Sequence, residues 1–283
     1  MCSYQPVGQP PPQIVVTGLG VTTAVGRGPE SLLEGVSAGR AAFTSVTRFD
    51  TQRCRAGAAA ELPGEPKLVG ELNAVIEQAC HQAGLDETRR AESEFCLALH
   101  TDQNAARDPA ALDVLGGTPA EVSAATGLRP PARVYTTACV AGSTAVADAA
   151  VLIRSGHADR VIVAAGYLVD ADSFWLFDAG RTLAIDGQVR PFSAGRKGML
   201  LGDGVAAVVI ESAAAARSRG AEPLARVAGW GRAGDGYHVC QPRPDGVGLA
   251  RAITRALARA EVDCSQVGYI NAKIGRASCR ERV

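Results

Sequence analysis

The stretch Val134-Tyr-Thr-Thr-Ala-Cys139-Val-Ala-Gly-Ser-Thr-Ala-Val-Ala-Asp-Ala-Ala-Val-Leu-Ile153 decides how the chain is read. Apart from the arginine, β-branched and aromatic residues lead from Arg133 to Thr137, which suits a strand. From Val140 to Ile153 apolar residues fall on nearly every face, broken only by small ones, the pattern of a helix buried on all sides. Cys139 is therefore expected at a strand-to-helix turn, beside a helix N-terminus. Such a terminus carries partial positive charge and backbone N–H groups without intrahelical partners. That setting favours thiolate over thiol, and the thiolate is the nucleophile. The same N–H groups can hold the oxyanion formed when a thioester carbonyl is attacked. Gly142 and Ser143 are small enough to let a substrate approach. The competing reading is a cysteine that only packs, since free cysteine is among the most buried residue types.

Working outward, strands and helices alternate. Ile14–Thr17 reads as a short strand, followed by a loop holding Gly18, Gly20 and Gly26. A Gly-x-Gly after a strand invites a nucleotide-binding reading, but neither a third glycine nor a ribose-binding acid is suitably placed. Pro29 to Ser37 reads as a helix with proline in its first turn. Arg53 to Pro66 is a small-residue connection. Lys67 to Ala83 has helical spacing, with Leu68, Leu72, Val75, Ile76 and Ala79 on one face and Gly84 as its stop. Phe95–His100 reads as a buried strand, and Asp102 to Pro131 as loop and short helix. Beyond the cysteine, strands are expected at Arg160–Gly166, Gly204–Glu211, from Ala225, and at Val267–Asn271. Helices are expected at Ser212–Ser218 and Gly246–Ala260, the latter amphipathic with Leu249, Ile253, Ala256 and Leu257 on one face. The alternation gives an α/β fold. No internal repeat is evident.

The bulk numbers set limits. The chain has 283 residues, 47% hydrophobic and 20% charged, enough for a sizeable core. Its 29 basic and 29 acidic residues cancel, and no basic stripe with interleaved aromatics points to nucleic acid. No apolar run reaches membrane-spanning length. Met1 to Gln13, rich in proline and glutamine, reads as a disordered lead-in and not as a signal peptide. The eight cysteines are scattered without a Cys-x-x-Cys pair, which suits a reducing cytoplasm better than a disulfide or zinc scaffold.

Three ordered stretches carry a resemblance. Thr137-Ala-Cys139 with its small-residue helix resembles the nucleophile elbow of the β-ketoacyl-acyl-carrier-protein synthases. Arg190-Pro-Phe-Ser-Ala-Gly-Arg-Lys-Gly-Met-Leu-Leu-Gly-Asp-Gly204 resembles the Arg-Pro-Phe-Asp…Gly-Glu/Asp-Gly segment of that family. Asp235-Gly-Tyr-His-Val-Cys240 and Ser265-Gln-Val-Gly-Tyr-Ile-Asn-Ala272 resemble the stretch leading to the family's first catalytic histidine. Ser193, Lys197 and Met199 depart from that pattern, standing where the family has Asp, Asp and Phe.

The resemblance implies a thiolase-like layered α/β fold. Residues 14–212 would form the N-terminal half and 213–272 the beginning of the C-terminal half, after the 1–13 lead-in. Lys273–Val283 resembles translated read-through of a sequencing adapter, with a natural basic tail as the alternative. On the first reading the family's histidines, its lysine and a second oxyanion donor all lie beyond Ala272. The implied activity of the intact parent is decarboxylative Claisen condensation of an acyl thioester with a malonyl carrier protein, the 283-residue polypeptide itself being an inactive half-fold. Cys139 would be the nucleophile. Phe177 would line the acyl pocket, or else be a core aromatic. His238 falls near the phosphopantetheine channel, and Cys240 where relatives commonly carry threonine. His81, His100 and His157 are expected to be surface or satisfied core residues. No metal or dissociable cofactor is implied, because the phosphopantetheine arm arrives on an acyl carrier protein. That carrier is the expected partner, with a homodimer or a heterodimer with another synthase subunit. The rival readings are a chain-length-factor-like partner without catalysis and a thiolase.

Overall fold

The computed structural model describes residues 11–100, 115, 117–238 and 242–271. In chain order the first elements are β1 (Ile14–Thr23), β2 (Gly26–Arg27), α1 (Pro29–Ser37), β3 (Thr44–Ser45), β4 (Ala58–Ala59), α2 (Leu68–Gln82), α3 (Glu87–Glu92) and β5 (Glu94–Leu99). Then come α4 (Thr118–Thr126), β6 (Arg133–Tyr135), a 3-10 turn (Ala138–Val140), α5 (Ala141–Arg154), β7 (Arg160–Tyr167) and α6 (Ala171–Ala179). The last are β8 (Gly204–Ser212), α7 (Ala213–Ser218), β9 (Ala225–Arg226), α8 (Val247–Ala260) and a second 3-10 turn (Cys264–Gln266). They fall into two units. The first holds the described residues of Met1–Ala42, Glu61–Leu168 and Gly202–Val227, the second those of Phe43–Ala60, Val169–Leu201 and Ala228–Val283.

The first unit is a mixed sheet in the order β2-β1-β8-β7-β5-β6, with β9 added to β1. β7, β5 and β6 run parallel, and β8 is antiparallel to both β7 and β1. On one face Leu72, Val75, Ile76 and Ala79 of α2 pack with Phe95, Leu97, Ile162 and Val209 of the strands. These are the apolar positions that helical spacing assigned to α2. Gly84 stops that helix at φ 64°, a conformation that costs glycine nothing.

β1 is ten residues long, so Gly18 and Gly20 lie in a strand and not in the expected loop. The reason is packing. A Cβ at Gly18 would overlap the Ala79 carbonyl oxygen, and one at Gly20 the Val75 carbonyl oxygen. The glycines let α2 lie directly on β1, and Gln82 and Gln78 of that helix accept from the Leu19 and Val21 N–H groups at 2.7 and 3.0 Å. The same device recurs in the second unit. There a Cβ at Gly229 or Gly231 would overlap the carbonyl oxygens of Ala256 and Ala252 on α8. In both places two glycines two residues apart meet two carbonyls one helical turn apart, a repeat that the letters do not display.

The β1–β8 register shifts between Val16 and Gly18, a bulge at Thr17. Its hydroxyl donates to Glu211 at 2.6 Å. The fully buried Glu211 also accepts from Arg160 Nε and Arg219 Nε, both at 3.0 Å, and from Arg219 Nη2. Burial alone would push the Glu211 carboxyl up. The hydrogen bonds from Arg219 and Thr17 and the two guanidinium charges outweigh it and hold the group below its ordinary value.

Two further expectations change. α5 is not buried on all sides. Ala141, Ala145, Ala149 and Ile153 are buried, while Ser143 and Val151 are exposed. All-round burial needs a layer on each side of a helix, and among the described residues this unit has one sheet to offer. Val267–Asn271 forms no strand, and Tyr269 and Ile270 stand exposed. A β-like segment becomes a strand only when its backbone groups find a ladder, and no described strand pairs with it. The 1–13 lead-in is described only from residue 11, and there the Gln13 carbonyl accepts from Ala213 N at 2.8 Å. The 273–283 tail lies outside the described residues.

Candidate active site

β6 ends at Tyr135, and Thr136 and Thr137 leave the ladder without extending the strand as the sequence suggested. Ala138 then takes φ 49°, unusual for a residue with a Cβ, and opens the 3-10 turn that carries Cys139. Val140 N donates to Thr137 O at 3.3 Å, and Ala141 N to Ala138 O, so the turn feeds straight into α5. Ser143 Oγ donates back to Val140 O at 3.0 Å. Cys139 is exposed on this elbow, at the start of a 14-residue helix whose first turn has no side-chain cap. The turn follows a parallel strand at its carboxyl end, where open α/β sheets bind their ligands. A Cβ at Gly142 would meet the Ala165 Cβ at 3.4 Å, an ordinary contact, so helix–strand packing does not by itself demand glycine here.

The other described cysteines are differently placed. Burial pushes the Cys80 thiol up to about 11. Burial also raises Cys96. Burial and the charges of Asp178 and Asp50 raise Cys54. Cys264 is exposed, but on a three-residue 3-10 turn beside the Asp263 carboxylate. Cys139 alone among the described cysteines combines exposure with the N-terminus of a long helix. His81 is exposed on α2, and His157 Nδ1 pairs with Ser155 Oγ at 2.7 Å. His100, just after β5, meets the Tyr167 ring edge-on at a centroid distance of 5.8 Å. Among the described residues no cluster of His, Cys, Asp and Glu could hold a metal ion.

The remaining predicted residues belong to the second unit. Phe177 is half-buried on α6, and its carbonyl accepts from Thr182 Oγ1 at 2.8 Å. The core aromatic of that helix is Phe174, fully buried and edge-on to Phe49 at 5.4 Å. His238 is exposed. Cys240 lies outside the described residues. Sequence reasoning missed a groove of about 700 Å³ in this unit, lined by Asp50, Arg53, Arg55, Trp175, Asp178 and Arg181 among others. Asp178 shapes it by accepting from Arg55 N at 2.9 Å and Ala56 N at 3.0 Å, a contact across 122 residues of chain that no local pattern displays. Asp203 of the Gly-Asp-Gly motif is likewise structural. It is buried in the first unit and accepts from Leu62 N at 2.7 Å. Ser193 folds its own loop, its hydroxyl accepting from Gly195 N at 3.1 Å.

The mixed sheet packed against helices, with a cysteine elbow beyond its parallel strands, is shared with ketosynthases of the thiolase-like class of α/β proteins. A solved structure of the ishigamide ketosynthase/chain length factor superposes on 91% of this chain and 72% of its own, with a TM-score of 0.78 and 30% identity. The family described as Beta-ketoacyl synthase, N-terminal domain, matches residues 90–216, and Beta-ketoacyl synthase, C-terminal domain, matches 224–275. The chain belongs to the β-ketoacyl synthase family, the condensing enzymes of fatty-acid or polyketide synthesis. It is 26% identical to 3-oxoacyl-[acyl-carrier-protein] synthase 2 of Staphylococcus aureus strain COL, over 92% of this chain and 72% of that protein. It is 44% identical to Nodulation protein E of Rhizobium leguminosarum bv. trifolii, over 53% of this chain and 37% of that protein. No helix among the described residues is long and apolar enough to cross a membrane.

Proposed function

We propose that Cys139 is the nucleophile of a β-ketoacyl-acyl-carrier-protein synthase. The observation that carries this is the exposed thiol on the elbow between β6 and α5. The Cys139 thiolate attacks the carbonyl of an acyl thioester, and the tetrahedral oxyanion collapses to acyl-Cys139 with release of the carrier's phosphopantetheine thiol. A malonyl thioester then loses CO₂, and its carbanion attacks the acyl-Cys139 carbonyl, regenerating the thiolate. Within residues 14–271, Cys139 and the amides at the N-terminus of α5 are the groups assigned to the acyl transfer. The carrier protein is the acyl donor, in keeping with the name of the staphylococcal relative. Residues 14–212 and 213–272 are the family's first half and the start of its second. The recurring glycine pairs, Gly18 and Gly20 against α2 and Gly229 and Gly231 against α8, support this reading.

The test is labelling of the folded chain with iodoacetamide or cerulenin, followed by peptide mass spectrometry. Cys139 is expected to react ahead of Cys54 and Cys264. Selective labelling of another cysteine in place of Cys139 would overturn the assignment.

A further inference from the structure

The strand and helix that present Cys139 are tied together by side chains that the proposed chemistry does not use. Among the described residues β6 is a three-residue edge strand, paired with β5 alone through Cys96↔Arg133, Leu97↔Val134 and Ala98↔Tyr135. Past Tyr135 the backbone leaves the ladder, and residues 136–140 are all exposed. Helix α5 is anchored near its C-terminal end by the buried Ile153, whereas its first two turns bury only alanines (Ala141, Ala145 and Ala147), whose methyl groups make shallow ridges. Near the elbow, then, the strand is short and the helix is packed only by small side chains.

A polar tie joins the two arms. Arg133 and Tyr135 are two residues apart, so their side chains share one face of the strand. Both reach the same oxygen of Asp148, on the second turn of α5. Tyr135 Oη donates to Asp148 Oδ2 at 3.0 Å, and Arg133 Nη1 donates to it at 3.2 Å. Tyr135 is buried, and the Asp148 side chain is 14% exposed. Burial raises the Tyr135 hydroxyl well above its ordinary range, with Cys96 and Asp148 acting in the same direction, so the hydroxyl keeps its proton and stays a donor.

We infer that Tyr135, Arg133 and Asp148 are positioning residues, a brace that fixes where the N-terminus of α5 meets the turn and so holds Cys139 over the first amides of the helix. The inference rests on the reading of Cys139 as the nucleophile. It assigns no contact with substrate to the three residues. They act through the geometry of the elbow, whose left-handed Ala138 has no glycine freedom to absorb a shift of either arm.

The experiment is native-state alkylation of the whole chain with iodoacetamide at pH 8, with each cysteine followed separately by mass spectrometry. Cys264, exposed and in the other unit, is the reference. Cys80 and Cys96, both buried, report any loss of fold. Tyr135→Phe is expected to slow Cys139 relative to Cys264 by about three- to fivefold, the scale of one helix-terminus interaction. Asp148→Asn, which keeps an acceptor for both donors, is expected to stay within about twofold of the unsubstituted chain. Cys80 and Cys96 should stay protected in both. The brace is overturned if Tyr135→Phe leaves the Cys139 rate unchanged, or slows it only while Cys80 and Cys96 become reactive. It is overturned equally if Asp148→Asn loses as much as Tyr135→Phe. Should Tyr135→Phe fail to fold, Arg133→Gln at the more exposed end of the tie must still slow Cys139, or the brace is refuted. If Cys139 in the unsubstituted chain reacts no faster than Cys264, the nucleophile reading fails and the brace falls with it.

Discussion

Replacing Glu211 with glutamine should destabilise the first unit more than any other change that conserves volume. The carboxylate is fully buried, and the side chains of its partners Arg160 and Arg219 are 11% and 8% exposed. Glutamine fills the same space and can still accept a hydrogen bond, but it leaves two guanidinium charges in the interior without a counter-charge. Removing one member of a buried ion pair typically costs about 3–5 kcal/mol. The whole stability of a domain is about 5–15 kcal/mol, so about a fifth or more of it is at stake. Because the folded state holds the Glu211 carboxyl below its ordinary value of 4.5, the unfolded chain binds the proton more readily. The stabilisation is therefore complete above pH 4.5 and is lost as pH falls through the depressed folded value. The assay is urea unfolding followed by far-UV circular dichroism, because both tryptophans, Trp175 and Trp230, lie in the other unit. At pH 7 the E211Q chain should unfold at markedly lower urea, and the gap should narrow as the pH is lowered below 4.5. A gap under about 1 kcal/mol at pH 7, or one that does not shrink on acidification, would refute the reasoning.

Further outcomes follow from packing and burial. Gly20→Ala places a methyl group on the Val75 carbonyl oxygen and should destabilise by about 1–3 kcal/mol or more in the same urea assay. Gly142→Ala meets only an ordinary contact with Ala165 and should be near neutral, so equal costs at the two sites would contradict the close-approach account. Cys80, titrating at about 11 and not at its ordinary 9.0, holds roughly 100-fold less thiolate at pH 8 than an unperturbed thiol. Its alkylation should be undetectable on the timescale that labels Cys264, and should appear once urea unfolds the chain. Labelling of Cys80 in the native chain would show that α2 is not packed as described.

Much of the fold was legible because it rests on local chemistry. Pro29, the period of Leu72, Val75, Ile76 and Ala79, and Gly84 set α1 and α2 nearly to the residue. The β-branched run at Arg160 and the apolar run from Gly204 set β7 and β8. The change from strand period to helix period at Cys139 marked the elbow and the candidate nucleophile. These signals are carried by neighbours in sequence, so the sequence alone determined them, together with the three motifs of the family.

What the sequence left open depends on partners distant along the chain. Gly18 and Gly20 read as a loop because nothing near them says that a helix 60 residues on will press its carbonyls against them. Val267–Asn271 reads as a strand, yet strandhood is a property of a pair, and no described strand pairs with it. A helix that reads as buried on all sides shows Val151 and Ser143 to solvent, since burial is set by how many layers surround it. Glu211, Asp178, Asp203 and Asp148 are letters like any other acid until the fold brings Arg160 and Arg219, the Arg55 and Ala56 amides, the Leu62 amide, and Tyr135 with Arg133 against them. Only tertiary structure decides those roles, because a carboxylate's part is set by the donors around it, and those arrive from far along the chain.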